Sequence, residues 1–287
     1  MLLEEAKRKF ISGVTARGLS IETIRAYELD LTMIERYFSS RFNAPVYLDE
    51  ISTILLEDYL VMLRTEKGYM PTSCNRHVNT FRSFFKFLIK KGWIDRNPAE
   101  PLEQFKVSHK ERTYLTEEEA LTLIDEIEHK LIQLVVRTLF YTGLRISECL
   151  NLTLEDVSSE NGVLHVRHGK GDKERFIPIS PKLMPFLVEY KENWRVNTDT
   201  NRFFATKKTG KLSDQHVNRE LRATTNRLGW KKKVTCHILR HSFASQLVKK
   251  NVNPVTIQKL LGHADLNTTS IYVHANQEQL IEAVEAL

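Results

Sequence analysis

A mainly α-helical protein in two parts, with one short antiparallel β-sheet in the second part, is what this 287-residue sequence predicts. Three observations carry that reading. Apolar residues recur at helical spacing along most of the chain, strand-like alternation occurs once, and a proline-containing stretch without periodicity interrupts the pattern. The length agrees with roughly two domains of common size. The expected boundaries are a helical domain over residues 1–98, a linker over 99–112 and a larger, mostly α domain over 113–287.

Ser20 is placed to cap "IETIRAYELDLTMIERYF", in which Ile24, Tyr27, Leu31 and Ile34 share a helical face. A further helix begins at Pro71–Thr72, with Val78, Phe81, Phe84, Phe85 and Leu88 as its apolar stripe. Pro98 and Pro101 then end the periodicity. Beyond the linker, Thr116 and Glu119 form a capping box for a new helix. "HKLIQLVVRTLFYTG" is mostly apolar, hence a buried helix, and stops at Gly143. "GVLHVRHGKGDKERFIPI" is the β element: it alternates around Leu164 and Val166, turns through Gly169–Asp172 and returns through Phe176 and Ile177. Asn253, Pro254 and Gly262 mark the start and stop of a late helix. Leu280, Ile281, Val284 and Leu287 make the stripe of a short amphipathic tail.

Composition narrows the function classes. Lys and Arg number 42 against 36 Asp and Glu, a net charge of +6 that leans mildly toward a polyanionic partner. A hydrophobic content of 41% supports a packed core and argues against global disorder. Cys74, Cys149 and Cys236 lie far apart and form no CxxC pair, so reduced thiols of a cytosolic protein are expected, not disulfides or a zinc site. No apolar run approaches membrane-spanning length, and "MLLEEAKRKF" has no signal-peptide core.

The chemistry-bearing residues come in short motifs. In "CHILRHSFASQL", His237 and Arg240 are three apart and share a helix face, a proton-transfer group beside a fixed cation. In "YTGLRISECL", Glu148 follows Arg145 at i+3 and can orient a guanidinium suited to two phosphate oxygens. Lys170 sits between Gly169 and Gly171 at the hairpin tip, without the frame of a P-loop. "LLGHADLNTTSIYVHA" carries His263 and Tyr272. Singly, these also fit a helix end, a surface ion pair, a solvated turn and a core tyrosine. Metal ligation by His263 or His274 lacks an HExxH or Cys–His set to support it. Arg82, Lys86 and Lys90 are spaced four apart, which fits either a solvated face or one beside a phosphate backbone.

Together, in the chain order "TGLR", "GKG", "HILR", "LGH", "Y", the motifs strongly resemble the tyrosine recombinase family, which includes phage integrases and Xer-like site-specific recombinases. The resemblance spans the whole chain. It implies a helical core-binding domain followed by the tyrosine recombinase catalytic fold. It also implies a catalytic set of Arg145, Lys170, His237, Arg240, His263 and Tyr272, with Glu148 behind it, and neither metal nor cofactor. Arg145 and Arg240 would hold the scissile phosphate, with a hydrogen bond from His263. Tyr272 would attack phosphorus to give a 3′-phosphotyrosyl link. Lys170 would protonate the leaving 5′-oxygen, and His237 would assist proton transfer on the tyrosine side. Strand exchange would pass through a Holliday junction in a homotetramer on double-stranded DNA with short inverted-repeat core sites, with a partner recombinase or accessory protein left open.

The two domains would close as a clamp on the duplex. Phosphate contacts are expected from Arg76, Arg82, Lys86 and Lys90 of the first domain. Arg167, Lys173, Arg175, Lys231, Lys232 and Lys233 of the second are expected to add to them. The tail is expected to dock on a neighbouring protomer, with docking on its own catalytic domain as the alternative. The expected location is the cytoplasm, at the nucleoid. A type IB topoisomerase is the competing enzyme, and a DNA-binding protein on an inactivated recombinase fold is the competing non-enzyme. With little room before Ser20 for an arm-binding domain, the layout is expected to be nearer Xer proteins or plasmid and transposon resolvases than phage-lambda-type integrases.

Overall fold

A computed structural model of the chain describes residues 1–107, 113–167 and 174–262. It divides into two compact units, Met1–Lys110 and Glu111–Leu287.

Among the described residues, the first unit is built from four α-helices: α1 (Leu3–Ala16), α2 (Ile21–Phe42), α3 (Thr53–Thr65) and α4 (Pro71–Lys90). The side chain of Ser20 accepts the Thr23 N–H at 3.2 Å, satisfying a donor that the first turn of α2 leaves open. Ser52 does the same for Leu55 at the start of α3. Pro71 stands in the first turn of α4, where a missing N–H costs nothing. The predicted stripe of α4 is buried, together with Phe10, Leu31, Phe38 and Tyr59. Each such side chain contributes about 1.5–3 kcal/mol through burial. Phe10 meets Phe84 edge-on, with ring centroids 5.4 Å apart, so α1 is locked to α4.

The segment expected to link the domains is in large part folded onto this unit. Ala99 and Leu102 are buried in its core. Asn75 pins Phe105 by donating to its carbonyl at 2.9 Å and accepting its N–H at 2.7 Å. Arg82 donates to the carbonyls of Ala99, Glu100 and Leu102. Proline removes a backbone donor but leaves the carbonyls beside it free to accept, and a long guanidinium supplies several donors at once. Arg82 is therefore engaged within the unit, where a phosphate contact was expected. Residues 108–112 lie outside the described residues.

The second unit contains α5 (Glu117–Asp125), α6 (Lys130–Thr142), α7 (Ile146–Asn151), β1 (Val157–Ser158), β2 (Val163–Val166), β3 (Arg175–Pro178), α8 (Met184–Glu189), α9 (Asp214–Arg227), α10 (Cys236–Lys249) and α11 (Pro254–Leu261). Thr116 and Glu119 form the reciprocal capping box of α5. α6 is buried nearly all round and packs against α5, α7, α9 and α10, as its composition predicts. The sheet is antiparallel in the order β1-β2-β3, with Leu164 opposite both Val157 and Ile177. Leu164, Val166 and Ile177 point into the core, while Phe176 faces out and stacks on His165 at 4.4 Å. The two-residue strand β1 is too short to show alternation in sequence. The predicted hairpin turn and the tail fall outside the described residues. Among the described residues, no helix is long and apolar enough to cross a membrane, and no group of three or more His, Cys, Asp or Glu is placed to hold a metal ion. Cys74, Cys149 and Cys236 are free and buried.

Candidate active site and nucleic-acid interface

The site begins where α6 stops. Gly143 has φ +65°, the left-handed turn that ends a helix most cheaply at glycine. It is needed for space as well: a Cβ there would lie 2.3 Å from Phe243 and 2.9 Å from Leu261. Two residues later the chain is extended at Arg145, the N-cap of α7. Glu148 reaches back one turn, where Oε2 accepts the Arg145 N–H and Oε1 accepts from Arg145 Nη1, each at 2.8 Å. The i+3 pairing read from the sequence is therefore present.

Two further arginines converge on the same carboxylate. Arg240, on α10, is 3% exposed. Its Nη1 donates to the carbonyl of Gly143 and its Nη2 to that of Leu261, each at 2.7 Å. Both carbonyls end helices, α6 and α11, where backbone acceptors are unfilled and the helix dipole is negative. Arg240 Nη1 also lies 3.8 Å from Glu148 Oε2. Arg175, the first residue of β3, forks onto Glu148, with Nη1 3.2 Å from Oε1 and Nη2 2.8 Å from Oε2.

Burial by itself pushes the Glu148 carboxyl up, but the hydrogen bonds from Arg175 and the Arg145 N–H and the attraction of these cations outweigh it. The group is held below the usual carboxylate range. Three guanidiniums around one buried anion leave an excess of positive charge, which suits a bound phosphodiester.

His237 lies in the first turn of α10, which Thr235 caps. It is exposed, and its ring meets the buried His241 edge-on at 4.4 Å. His237 and Arg240 thus stand one turn apart, the histidine at the surface and the arginine inside. Lys170, Lys173, His263 and Tyr272 lie outside the described residues, so the described part of the site is Arg145, Glu148, Arg175, His237 and Arg240.

The remaining basic residues are distributed unevenly. Lys86, Lys90, Lys231 and Lys233 are exposed. Arg76 lies 2.7 Å from the buried Asp30 carboxylate. Arg167 pairs with Asp156 at 2.6 Å and Glu155 at 3.4 Å, and Lys232 pairs with Glu119. Lys90 lines a groove of about 790 Å³ between α1 and the end of α4, with Arg8, Lys9, Arg17, Lys91, Phe87 and Trp93. Among the described residues, Lys9 alone of these five cations has a carboxylate partner, Glu5 at 2.7 Å. Three sit over ring faces: Lys9 over Trp93, and Arg17 and Lys91 over Phe87. Sequence reasoning missed this groove because α1 was not delineated; the four-residue spacing of Lys9, Gly13 and Arg17 is the signal that marks it.

Comparison with known proteins gives a consistent pattern. The model of the phage integrase family matches residues 113–279, and that of the phage integrase N-terminal SAM-like domain matches residues 9–92. The tyrosine recombinase XerA of Pyrococcus furiosus is 38% identical over 290 residues, covering 99% of this chain and 94% of that protein. A tyrosine recombinase of Thermosipho africanus is 33% identical over 279 residues, covering 94% of this chain and 95% of that protein. The crystal structure of the XerH site-specific recombinase bound to its difH substrate, a pre-cleavage complex, superposes with a TM-score of 0.73 at 25% identity, covering 94% of this chain and 80% of that one.

Proposed function

The chain belongs to the phage integrase family of tyrosine recombinases, and from that premise we propose how its own residues do the family's work. It is a site-specific DNA recombinase that cuts and rejoins duplex DNA through a 3′-phosphotyrosyl intermediate and a Holliday junction. Arg145 and Arg240 hold the non-bridging oxygens of the scissile phosphodiester and stabilise the charge that develops on them. Tyr272 is the nucleophile, Lys170 the acid for the leaving 5′-oxygen, His237 the proton-transfer group on the tyrosine side and His263 a further hydrogen-bond donor. Energy held in the phosphotyrosine drives rejoining, so the reaction calls for no nucleotide cofactor.

The observation that carries this reading is the convergence of Arg145 and Arg240 on Glu148. Arg145 hydrogen-bonds it at 2.8 Å, and Arg240, buried between two helix ends, lies 3.8 Å from it. Two guanidiniums 95 residues apart in sequence are thereby fixed beside one carboxylate. The assembly that fits is a homotetramer on paired inverted-repeat sites, working at the nucleoid, with the tail exchanged between protomers.

A nicked suicide duplex tests the proposal. The protein should form a covalent adduct on the 3′-phosphate of the scissile position, as the short 5′-hydroxyl fragment between that position and the nick is released, and Tyr272→Phe should abolish the adduct while keeping site binding. An adduct in that variant would assign the attack to another residue. Relaxation of supercoiled DNA without paired sites would favour topoisomerase action instead.

A further inference from the structure

Arg175 stood among the residues expected to touch phosphate, yet its side chain is 11% exposed and engaged on three sides. Its fork grips both oxygens of Glu148, and its Nε donates to the carbonyl of Leu260 at 3.0 Å. It also runs beneath Gly262, the left-handed stop of α11. A Cβ on Gly262 would lie 2.9 Å from Arg175 Nη1, 3.0 Å from Cζ and 3.2 Å from Cδ. β3, α7 and the end of α11 therefore meet on one guanidinium.

We propose that Arg175 is a positioning residue of the recombinase reaction: it fixes the plane of the Glu148 carboxylate, which orients Arg145, and ties that pair to the end of α11 that leads in sequence to His263. The inference rests on the site described under Proposed function and assigns Arg175 no contact with DNA. The geometry needs a guanidinium. An ammonium has no planar fork, so it cannot hold both carboxylate oxygens in one plane and reach a third acceptor behind them. Without the fork, Glu148 keeps the Arg145 N–H, Arg145 Nη1 and the nearby Arg240, but loses the hydrogen bonds that do most to hold its proton off. Asp156, His165 and Arg167 line a small pocket together with Glu148 and are left unsubstituted in every variant. A protonated Glu148 would no longer accept from Arg145 in the same way, so the loss of Arg175 should be read out in the pH dependence of cleavage.

The test uses the full-length protein and the nicked suicide duplex, with cleavage measured at saturating protein. Arg175→Ala and Arg175→Lys should each slow cleavage at least about tenfold, while single-site affinity and its salt dependence stay near the parent values. The acid limb of the cleavage profile should move toward neutral pH in Arg175→Ala. In a double-mutant cycle, Gly262→Ala should cost less in the Arg175→Ala background, where the clash is gone, and the strain of its positive φ is common to both arms.

Three results would overturn the inference: full-rate cleavage by Arg175→Lys, an additive cycle, or a salt slope lowered by about one with the saturated rate unchanged, which marks a direct phosphate contact. Should Arg175→Ala fold poorly, Arg175→Lys carries the rate test alone. Arg145→Ala is run in parallel: if it cleaves normally, the site reading itself fails, whatever Arg175 does.

Discussion

The guanidinium of Arg240 donates to the main-chain carbonyl of Gly143 at 2.7 Å, joining residues 97 apart in sequence. A second bond to Leu261 makes this arginine both a strut between α6, α10 and α11 and one of the cations of the site.

Arg240→Ala should therefore fail in two measurements. Cleavage should fall by more than about a hundredfold, the scale for losing one donor to a transition state. Stability should fall by about 2–5 kcal/mol, because two buried carbonyls and a buried carboxylate lose a cationic neighbour. Arg240→Lys should fall between the parent and the alanine variant in chemical denaturation. A loss of less than about tenfold in cleavage would remove Arg240 from the phosphate site.

Lys170→Ala should be inactive on an ordinary phosphodiester and recover on a 5′-bridging phosphorothiolate, whose sulfur leaves without a proton. Adduct formation on the two substrates is the measurement. Equal defects on both would show that Lys170 is not the acid.

Charge-neutral substitutions in the α1–α4 groove should weaken DNA binding without regard to sequence. Arg8→Gln, Arg17→Gln and Lys91→Gln should each lower the slope of log affinity against log salt by about one if each contacts a phosphate. Titrations of specific and random duplexes at several salt concentrations decide the matter. Unchanged slopes would assign the groove to something other than DNA.

The buried His77 gives the first unit an acid-side weakness. Burial, reinforced by Arg76, pushes the ring down to about 4 from an ordinary value of 6.5. Between those values the unfolded chain binds a proton that the folded unit refuses, so stability falls as pH falls through the window, by at most about 3 kcal/mol. Asp30, 3.3 Å from the ring, is raised by burial and acts in the opposite sense: its contribution is lost as pH rises through its folded value. His77→Phe, among the rings of Tyr59, Tyr69 and Phe81, should flatten the His77 slope. Hydrogen exchange of α4 amides, corrected for intrinsic rates, measures it. A slope unchanged by the substitution would assign the acid sensitivity elsewhere.

Local rules were legible in the sequence and long-range engagement was not. Ser20, Thr116 with Glu119, and Asn253 with Gly262 announce helix ends because a cap is settled within four residues. The Arg145–Glu148 pair was legible for the same reason. Arg82 and Arg175 read as surface cations because their acceptors lie 17 to 20 and 27 to 85 residues away, and no spacing rule spans such distances. The shared helix face of His237 and Arg240 could be inferred; the burial of the second among main-chain carbonyls could not.

Arg240 is held at both ends by peptide carbonyls, which every amino acid carries. Substitution of Gly143 or Leu261 by another residue leaves the acceptor in place, and at Gly143, which contributes no side-chain packing, it acts only by crowding or bending the backbone. Mutational tolerance around the charged centre should then be governed by room. In a saturation library selected for recombination, Gly143, which has no side chain, should prove as intolerant as the arginine it holds. Its tolerance should return in part when Phe243, whose ring blocks the space beside it, is shortened.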